Sequence, residues 1–85
     1  MEIRFSRKFV KQYNKSNLAI QVVFKRRIRL FMLNPHDPNL RNHTLKGKFK
    51  GHRSINITGD WRALYKEEYN KIVFVALGTH SQLYK

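Results

Sequence analysis

The sequence contains no cysteine, only two prolines and four glycines, and only five acidic residues among its 85. Without cysteine, neither a disulfide framework nor a thiolate metal site is possible, and the composition is compatible with a reducing cytosol. A chain of this length makes one domain, expected here over residues 1–85. It buries only about 60–65% of its unfolded surface, so its core must be compact.

Long hydrophobic runs are also missing. The longest run, Ile72–Leu77, is far shorter than the about 20 apolar residues with which a helix crosses a bilayer. The N-terminus carries four basic residues but not the apolar stretch of a signal peptide. These patterns predict a cytoplasmic protein with no membrane partner.

Positive charge is what the chain has in excess. Eighteen lysines and arginines against five acidic residues give a formal net charge of +13. The basic residues are spread along the whole chain and do not form a tail. Such a charge favours nucleic acid, an acidic protein or an anionic membrane surface as partner. The alternative is a basic protein that is merely soluble.

The N-terminal half has helical patterns after one short strand. Glu2–Phe5 is the expected strand, and Ser6 is the expected N-cap of the helix that follows it. After a polar break at Asn14–Asn17, apolar spacings of three and four predict a second helix at Leu18–Leu33. Asn34–Asn42 contains both prolines and is expected to be a loop.

Beyond that loop the apolar period changes to two. Strands are expected at Lys46–Lys50, Arg53–Ile57, Trp61–Tyr65 and Lys71–Leu77, with a polar turn at Glu67–Asn70 before the last strand. A final helical turn is expected within Thr79–Lys85. The pattern predicts an α+β fold, in which an N-terminal strand and a helical hairpin pack on a four-stranded antiparallel meander.

The side chains of the C-terminal half suit RNA cleavage. RNA carries its own nucleophile, the 2′-hydroxyl beside each phosphate. An enzyme must take the proton of that hydroxyl, stabilise charge on phosphorus and protonate the leaving 5′-oxygen. Histidine suits either proton transfer because its unperturbed pKa is about 6.5. Arginine suits the phosphate because its planar fork binds two oxygens.

Strand alternation predicts a shared face for several of these side chains. Alternation counted from Asp60, the residue just before the Trp61–Tyr65 strand, places Asp60 and Arg62 on one face. On the preceding strand, Ser54 and Asn56 face away from the isoleucines. Because the isoleucines are expected to pack on the helices, the face with Ser54 and Asn56 is expected to be open.

Each candidate also has a structural interpretation, and both stay open on the residues alone. His43 and His80 flank the strands and could reach that face, but His80 also suits a helix start. Asp60 could cap a turn, Arg62 could pair with a glutamate, and Tyr84 could pack the tail against the sheet. Two further histidines are expected to be loop residues: His36 and His52.

Metal binding is the weaker alternative. The four histidines and two aspartates could supply ligands, but no pair has a spacing such as H-x₃-H. Neither a glycine-rich phosphate loop nor a serine nucleophile motif occurs. We expect no metal, no cofactor and no small-molecule ligand.

The segments NHTLKGKFKGHRS, ITGDWRALYK and GTHSQLY resemble the RelE/ParE superfamily of toxin–antitoxin modules, most closely its YafQ-like branch of messenger-RNA interferases. The resemblance covers essentially the whole chain. It implies a small α+β toxin that enters the ribosomal A site and cleaves messenger RNA through the 2′-hydroxyl, leaving a cyclic phosphate. The implied partners are the 70S ribosome, with its ribosomal and messenger RNA, and an acidic antitoxin.

Carried over position by position, the resemblance implies five catalytic residues: His43, Asp60, Arg62, His80 and Tyr84. His80 would be the general acid, and Asp60 or His43 the base. Arg62 would stabilise the phosphate together with Lys46, while Tyr84 would orient the phosphate or stack on a base. Trp61 would support the site. The expected RNA contacts are Lys25, Arg26, Arg29, Lys46, Lys48, Lys50, Arg53 and Asn56.

One position departs from the YafQ-like pattern, and two other functions stay open. Asn56 stands where that pattern has another catalytic histidine, and asparagine cannot shuttle a proton at neutral pH. A catalytically weakened RNA- or ribosome-binding toxin is therefore one alternative. The other is a ParE-like toxin that inhibits DNA gyrase and would not need the set of His43, Asp60 and His80.

Overall fold

The computed structural model describes residues 2–84 and has the predicted α+β architecture. A five-stranded sheet has the order β1-β5-β4-β3-β2. Its strands are β1 Glu2–Phe5, β2 His43–Thr44, β3 Arg53–Asn56, β4 Trp61–Glu68 and β5 Lys71–Thr79. The helices are α1 Arg7–Lys15, α2 Leu18–Leu33 and α3 His80–Leu83. Strands β2 to β5 form an antiparallel meander, and β1 extends it by pairing in parallel with β5.

Polar caps begin both long helices. The predicted cap at Ser6 is confirmed, because its hydroxyl accepts a hydrogen bond of 3.1 Å from the amide of Phe9. Asn17 caps α2 in the same way, with 2.9 Å between its Oδ1 and the amide of Ile20. Each cap satisfies an amide of the first turn that has no partner within the helix.

The two helices pack on one face of the sheet. The helix predicted at Leu18–Leu33 is confirmed, and its Ile20, Phe24 and Phe31 are all buried. Phe31 contacts the rings of Tyr65 and Phe74 at centroid distances of 5.1 and 5.6 Å. This aromatic core fixes the strands that carry the candidate functional residues.

A smaller apolar cluster covers part of the opposite face. It consists of Leu64, Ala76 and Leu83, with Leu45, Phe49, Val75 and Tyr84 packed against it. The prediction that Ser54 lies on an open face is therefore wrong, since Ser54 is 0% exposed. Asn56, two residues further along β3, remains half-buried.

The strand predicted at Lys46–Lys50 is wrong. Residues Gly47–Phe49 form a 3-10 helix, and the strand that pairs with β3 is His43–Thr44. Gly47 and Gly51 have positive φ angles of 67° and 88°, which an extended strand does not contain. The alternating lysines thus do not share one strand face.

Two further boundaries differ from the prediction. Strand β4 continues to Glu68, which pairs with Lys71, so the polar turn predicted at Glu67–Asn70 shrinks to Tyr69 and Asn70. The tight turn uses a positive φ of 56° at Tyr69. At the other end of β4, Asp60 lies in the bend before the strand.

The predicted loop Asn34–Asn42 is confirmed and contains a short 3-10 helix at Pro38–Leu40. Leu40 is 0% exposed and joins the core beneath the helices. The predicted C-terminal turn is α3, while Lys85 lies outside the described residues. Between residues 2 and 84, no helix has the length and apolar character that crossing a membrane requires.

Candidate active site

A cavity of about 740 Å³ lies on the face of the sheet opposite the long helices. The residues that line it come from the segment around β2, from β3 and β4, and from α3 and its C-terminal end. They are Arg41, Asn42, His43, Thr44, Leu45, Lys46, Asn56, Arg62, His80 and Tyr84.

Strand register places part of this lining in one row. Asn56 of β3 pairs with Arg62 of β4, and Arg62 pairs with Gly78 of β5. Paired residues of neighbouring strands point to the same face. The absence of a side chain at Gly78 leaves room for α3, because a Cβ there would lie 3.0 Å from Oε1 of Gln82.

His43 lies at the edge of the sheet in β2 and is exposed. Its Nδ1 lies 2.8 Å from the carbonyl oxygen of Arg41. A carbonyl oxygen only accepts hydrogen bonds, so Nδ1 carries the proton of this bond. In the neutral imidazole, Nε2 then keeps its lone pair and can accept a proton.

His80 is the first residue of α3. Its amide donates a hydrogen bond of 3.0 Å to the carbonyl of Asp60. The Thr79 hydroxyl accepts from the amide of Gln82, and the Gln82 side chain accepts from the amide of Thr79, which forms a capping box. These contacts fix where the backbone of His80 leaves the sheet.

Aromatic rings connect α3 to the segment after β2. The rings of His80 and Tyr84 lie 4.7 Å apart between centroids. Tyr84 also meets Phe49 edge to face at 5.9 Å, a geometry that aromatic pairs prefer. Phe49 thus packs against Tyr84, and Tyr84 packs against the ring of His80.

The guanidinium of Arg62 is held by the bend that precedes β4. Its Nη1 lies 3.1 Å from the carbonyl oxygen of Thr58, 3.0 Å from that of Gly59 and 3.2 Å from that of Trp61. The interpretation of Arg62 as the partner of a glutamate does not fit these contacts. Glu68 instead pairs with Lys66 at 2.7 Å. The bend thereby positions a fixed positive charge beside the cavity.

The structure brings six of the proposed site residues to this cavity: His43, Lys46, Asn56, Arg62, His80 and Tyr84. Asp60 is exposed and its side chain does not line the cavity, although its backbone holds His80. Trp61 is half-buried and packs on the main core.

The remaining residues expected to contact RNA lie away from the cavity. Lys25, Arg26, Arg29, Lys48 and Lys50 are exposed, and Lys48 lies over the ring of Phe49. Arg53 is half-buried and donates through Nε to Asn42 at 2.8 Å.

Sequence reasoning missed four lining residues: Arg41, Asn42, Thr44 and Leu45. Arg41 has a left-handed backbone, with φ 48° and ψ 43°, in a loop, Asn34–Asn42, that contains no glycine to signal such a turn. The Asn42 side chain bonds to residues up to 23 positions away. Local patterns do not reveal contacts of this kind.

Two other features of the surface are relevant to function. Within the described part of the chain, no three histidine, aspartate or glutamate side chains come together as metal ligands. Another cavity, of about 280 Å³, is lined by Phe5, Phe9, Val10, Tyr13, Phe24, Lys25 and Ile28. Its lining contains no histidine or carboxylate.

The fold is shared with solved bacterial toxins. YafQ from E. coli strain BL21(DE3) has a TM-score of 0.84 and 24% identity, covering 99% of this chain and 98% of that one. The toxin of the E. coli DinJ–YafQ toxin–antitoxin complex has a TM-score of 0.81 and 24% identity, with 99% and 97% covered. A YoeB/ParE toxin from Agrobacterium tumefaciens has a TM-score of 0.77 and 18% identity, with 94% and 99% covered. No curated protein sequence matches this chain.

Residues 1–85 match the family described as "Bacterial toxin of type II toxin-antitoxin system, YafQ". The match covers the whole sequence, including the segments around His43, Asp60 and His80. The resemblance to the YafQ-like branch is thereby confirmed. The chain belongs to the YafQ family of bacterial toxins from type II toxin–antitoxin systems.

Proposed function

We propose that this toxin is a ribosome-dependent endoribonuclease that cleaves messenger RNA in the A site. The observation that supports the proposal is that His43, Arg62, His80 and Tyr84 line one cavity. These residues come from three separate parts of the chain: β2, β4, and α3 with its C-terminal cap. Together they provide two imidazoles, a guanidinium and a phenol, which are the groups that cleavage through the 2′-hydroxyl requires.

His43 is the general base of the proposed reaction. Its Nδ1 donates to the carbonyl of Arg41, which leaves Nε2 free to take the proton of the 2′-hydroxyl. The 2′-oxygen then attacks the adjacent phosphorus and forms a new P–O bond. Asp60 was the other candidate, but its side chain does not line the cavity.

His80 is the general acid. Its imidazolium gives a proton to the 5′-oxygen as the P–O5′ bond breaks. The products are a 2′,3′-cyclic phosphate and a 5′-hydroxyl, so atoms and charge balance without another reactant. His43 belongs to β2 and His80 to α3, so different elements supply the base and the acid.

Arg62 stabilises the charge that develops on the phosphate, with Lys46 as a second cation. The guanidinium has five N–H donors, and the described contacts to the bend all use Nη1. Tyr84 lies against His80 and provides either a hydroxyl for the phosphate or a ring on which a base stacks.

The proposed partners are the 70S ribosome and an acidic antitoxin, which places the toxin in the cytoplasm. A net charge of +13 attracts ribosomal and messenger phosphates. The same charge favours an acidic protein that covers this surface when the toxin is neutralised. The E. coli YafQ protein is known in complex with DinJ, which supports an antitoxin partner here as well.

The test is cleavage of a short message on programmed ribosomes by the purified toxin and two variants. His80→Ala removes the proposed acid, and we expect the cleavage rate to fall by about 10²–10⁴-fold. His36→Ala is the matched control, because His36 is an exposed loop residue outside the cavity. We expect its rate to equal that of the wild type.

Three outcomes would contradict the proposal in different ways. An intact message together with inhibited DNA supercoiling would favour the ParE-like alternative. Efficient cleavage of naked RNA at the same positions would contradict the need for a ribosome. Growth arrest that survives His80→Ala would instead favour an RNA-binding toxin without nuclease activity.

A further inference from the structure

The side chain of Asn42 joins three separate parts of the chain. Its Nδ2 donates to the carbonyl of Pro35 at 2.9 Å and to the hydroxyl of Tyr65 at 2.7 Å. Its Oδ1 accepts from Nε of Arg53 at 2.8 Å. Both donors and the acceptor of this amide are therefore engaged, which holds the side chain in a single orientation.

One hydrogen-bond partner of Asn42, Tyr65, is anchored in the core. Tyr65 is only 2% exposed, and its ring packs against Phe31 and Phe74 at centroid distances of 5.1 and 5.4 Å. Close-packed rings do not shift freely. The Tyr65 hydroxyl therefore offers Asn42 a fixed point of attachment.

Asn42 itself directly precedes His43 in the chain. Asn42 lies between His43 and Arg41, the residue whose carbonyl accepts from Nδ1 of His43. Arg41 has a left-handed backbone, which is unfavourable for a residue with a side chain. Such a conformation persists only where neighbouring contacts hold it. The amide of Arg41 donates to the carbonyl of Pro38, and the bonds of Asn42 hold the next residue.

We infer that Asn42 is a positioning residue, which holds the Arg41 carbonyl against Nδ1 of His43 and so keeps the Nε2 lone pair available to the substrate. The kinetic part of this inference rests on the proposed nuclease function. If the carbonyl moves away, the neutral imidazole exchanges between two tautomers. Only the tautomer with its proton on Nδ1 accepts a proton at Nε2.

The first experiment measures the tautomer directly and needs no activity. NMR of the ring nitrogens of His43 at a pH where it is neutral is expected to show a proton on Nδ1 in the wild type. Asn42→Ala is expected to give a mixture of both tautomers. Asn39→Ala, which removes an exposed side chain of the same type from the same loop, is expected to leave the wild-type pattern.

If Asn42→Ala does not fold, Tyr65→Phe still tests the inference. The phenylalanine ring fills the same space in the core, but the hydroxyl that accepts from Asn42 is lost. We expect a partial shift of the His43 tautomers in this variant. A wild-type tautomer pattern in both Asn42→Ala and Tyr65→Phe would overturn the inference.

The second experiment is a double-mutant cycle in the ribosome assay. Asn42→Ala is expected to lower kcat by about 10²-fold, with KM unchanged, because a misplaced base slows only the chemical step. In a His43→Ala background the same change is expected to cost nothing more. If the two substitutions instead lower kcat by independent factors that multiply in the double variant, the inference is overturned.

The two experiments separate this inference from the proposed function. If the wild-type toxin cuts no message but Asn42→Ala shifts the His43 tautomers, the proposed function fails and the positioning role stands. If the wild type cuts messages and the tautomers do not change, the positioning role fails and the proposed function stands.

Discussion

At the scale of the single residue, burial changes the pKa of Tyr65. Burial raises the pKa of its phenol above the usual value of 10.0, although the bond from Asn42 and the charge of Arg53 act in the opposite direction. Because its pKa is raised in the folded state, the protonated phenol of Tyr65 contributes stability that is fully present below pH 10.0. It is lost as the pH rises through the folded-state pKa.

Tyr65→Phe is therefore expected to flatten the fall in stability at alkaline pH. We predict that the urea midpoint of the wild type falls more than that of Tyr65→Phe between about pH 8 and about pH 11. Tyr69→Phe is the control, because Tyr69 is 101% exposed, and it should follow the wild type. Equal slopes for Tyr65→Phe and the wild type would show that the buried phenol does not contribute.

Arg62 gives a second prediction at this scale. Lysine keeps the charge but has no planar fork with which to bind the phosphate of the proposed reaction while Nη1 bonds to the bend. We expect Arg62→Lys to lower the rate of message cleavage by about 10²-fold, the usual loss for a displaced electrostatic donor. Arg7→Lys is the control, because Arg7 is exposed on α1, away from the cavity. Full activity of Arg62→Lys would reduce the role of Arg62 to its charge alone.

At the scale of the element, α3 depends on contacts outside itself. A helix of four residues is too short to be stable alone in water. The capping box at Thr79 and the buried side chain of Leu83 attach it to the sheet. The position of His80 thus depends on how α3 begins.

Thr79→Ala is expected to cost about 1 kcal/mol of stability by removing the cap. The variant should also lower the rate of message cleavage, because His80 is the next residue. Thr79→Ser keeps the hydroxyl and is expected to restore both properties. The measurements are the urea midpoint and the rate on programmed ribosomes. A cleavage rate unaffected by Thr79→Ala would mean that the cap does not position His80 for its proposed role as the acid.

Helix α2 is attached to the sheet mainly by large buried rings. Phe31 is 0% exposed, whereas Leu33, two residues later, is 86% exposed. We expect Phe31→Ala to lower the free energy of unfolding by about 3–5 kcal/mol through the cavity that it leaves. Leu33→Ala should change it by less than about 0.5 kcal/mol. Denaturant unfolding of both variants checks the prediction, which similar losses would contradict.

At the scale of the whole molecule, the positive charge is largely uncompensated. In the part of the chain that the structure describes, two ion pairs occur, Arg4 with Glu2 and Lys66 with Glu68. Most of the 18 lysines and arginines therefore have no carboxylate partner within the described residues. Such a surface repels itself and attracts polyanions.

Salt is expected to act in opposite directions on binding and on stability. Ribosome affinity should fall by more than about tenfold from about 50 to about 200 mM salt, because RNA binding releases counterions. The melting temperature should rise over the same range, because salt screens self-repulsion. Sedimentation with ribosomes and a thermal scan measure the two effects. Affinity that does not depend on salt would contradict the electrostatic account.

The sequence by itself determined the features that depend on near neighbours. The helices, the cap at Ser6, the loop with both prolines and the net charge follow from residues only a few positions apart. The short segments around His43, Asp60 and His80 also sufficed for the family. The predicted Lys46–Lys50 strand was wrong because alternation carried no information on the backbone angles of Gly47.

Only the tertiary structure decided which side chains meet. Register and packing brought His43, Arg62 and His80 to one cavity, left Asp60 outside it and buried Ser54. The role inferred for Asn42 depends on contacts with residues 11 and 23 positions away. Such contacts depend on how the whole chain packs, because strands are aligned by the core and not by the residues beside them in sequence.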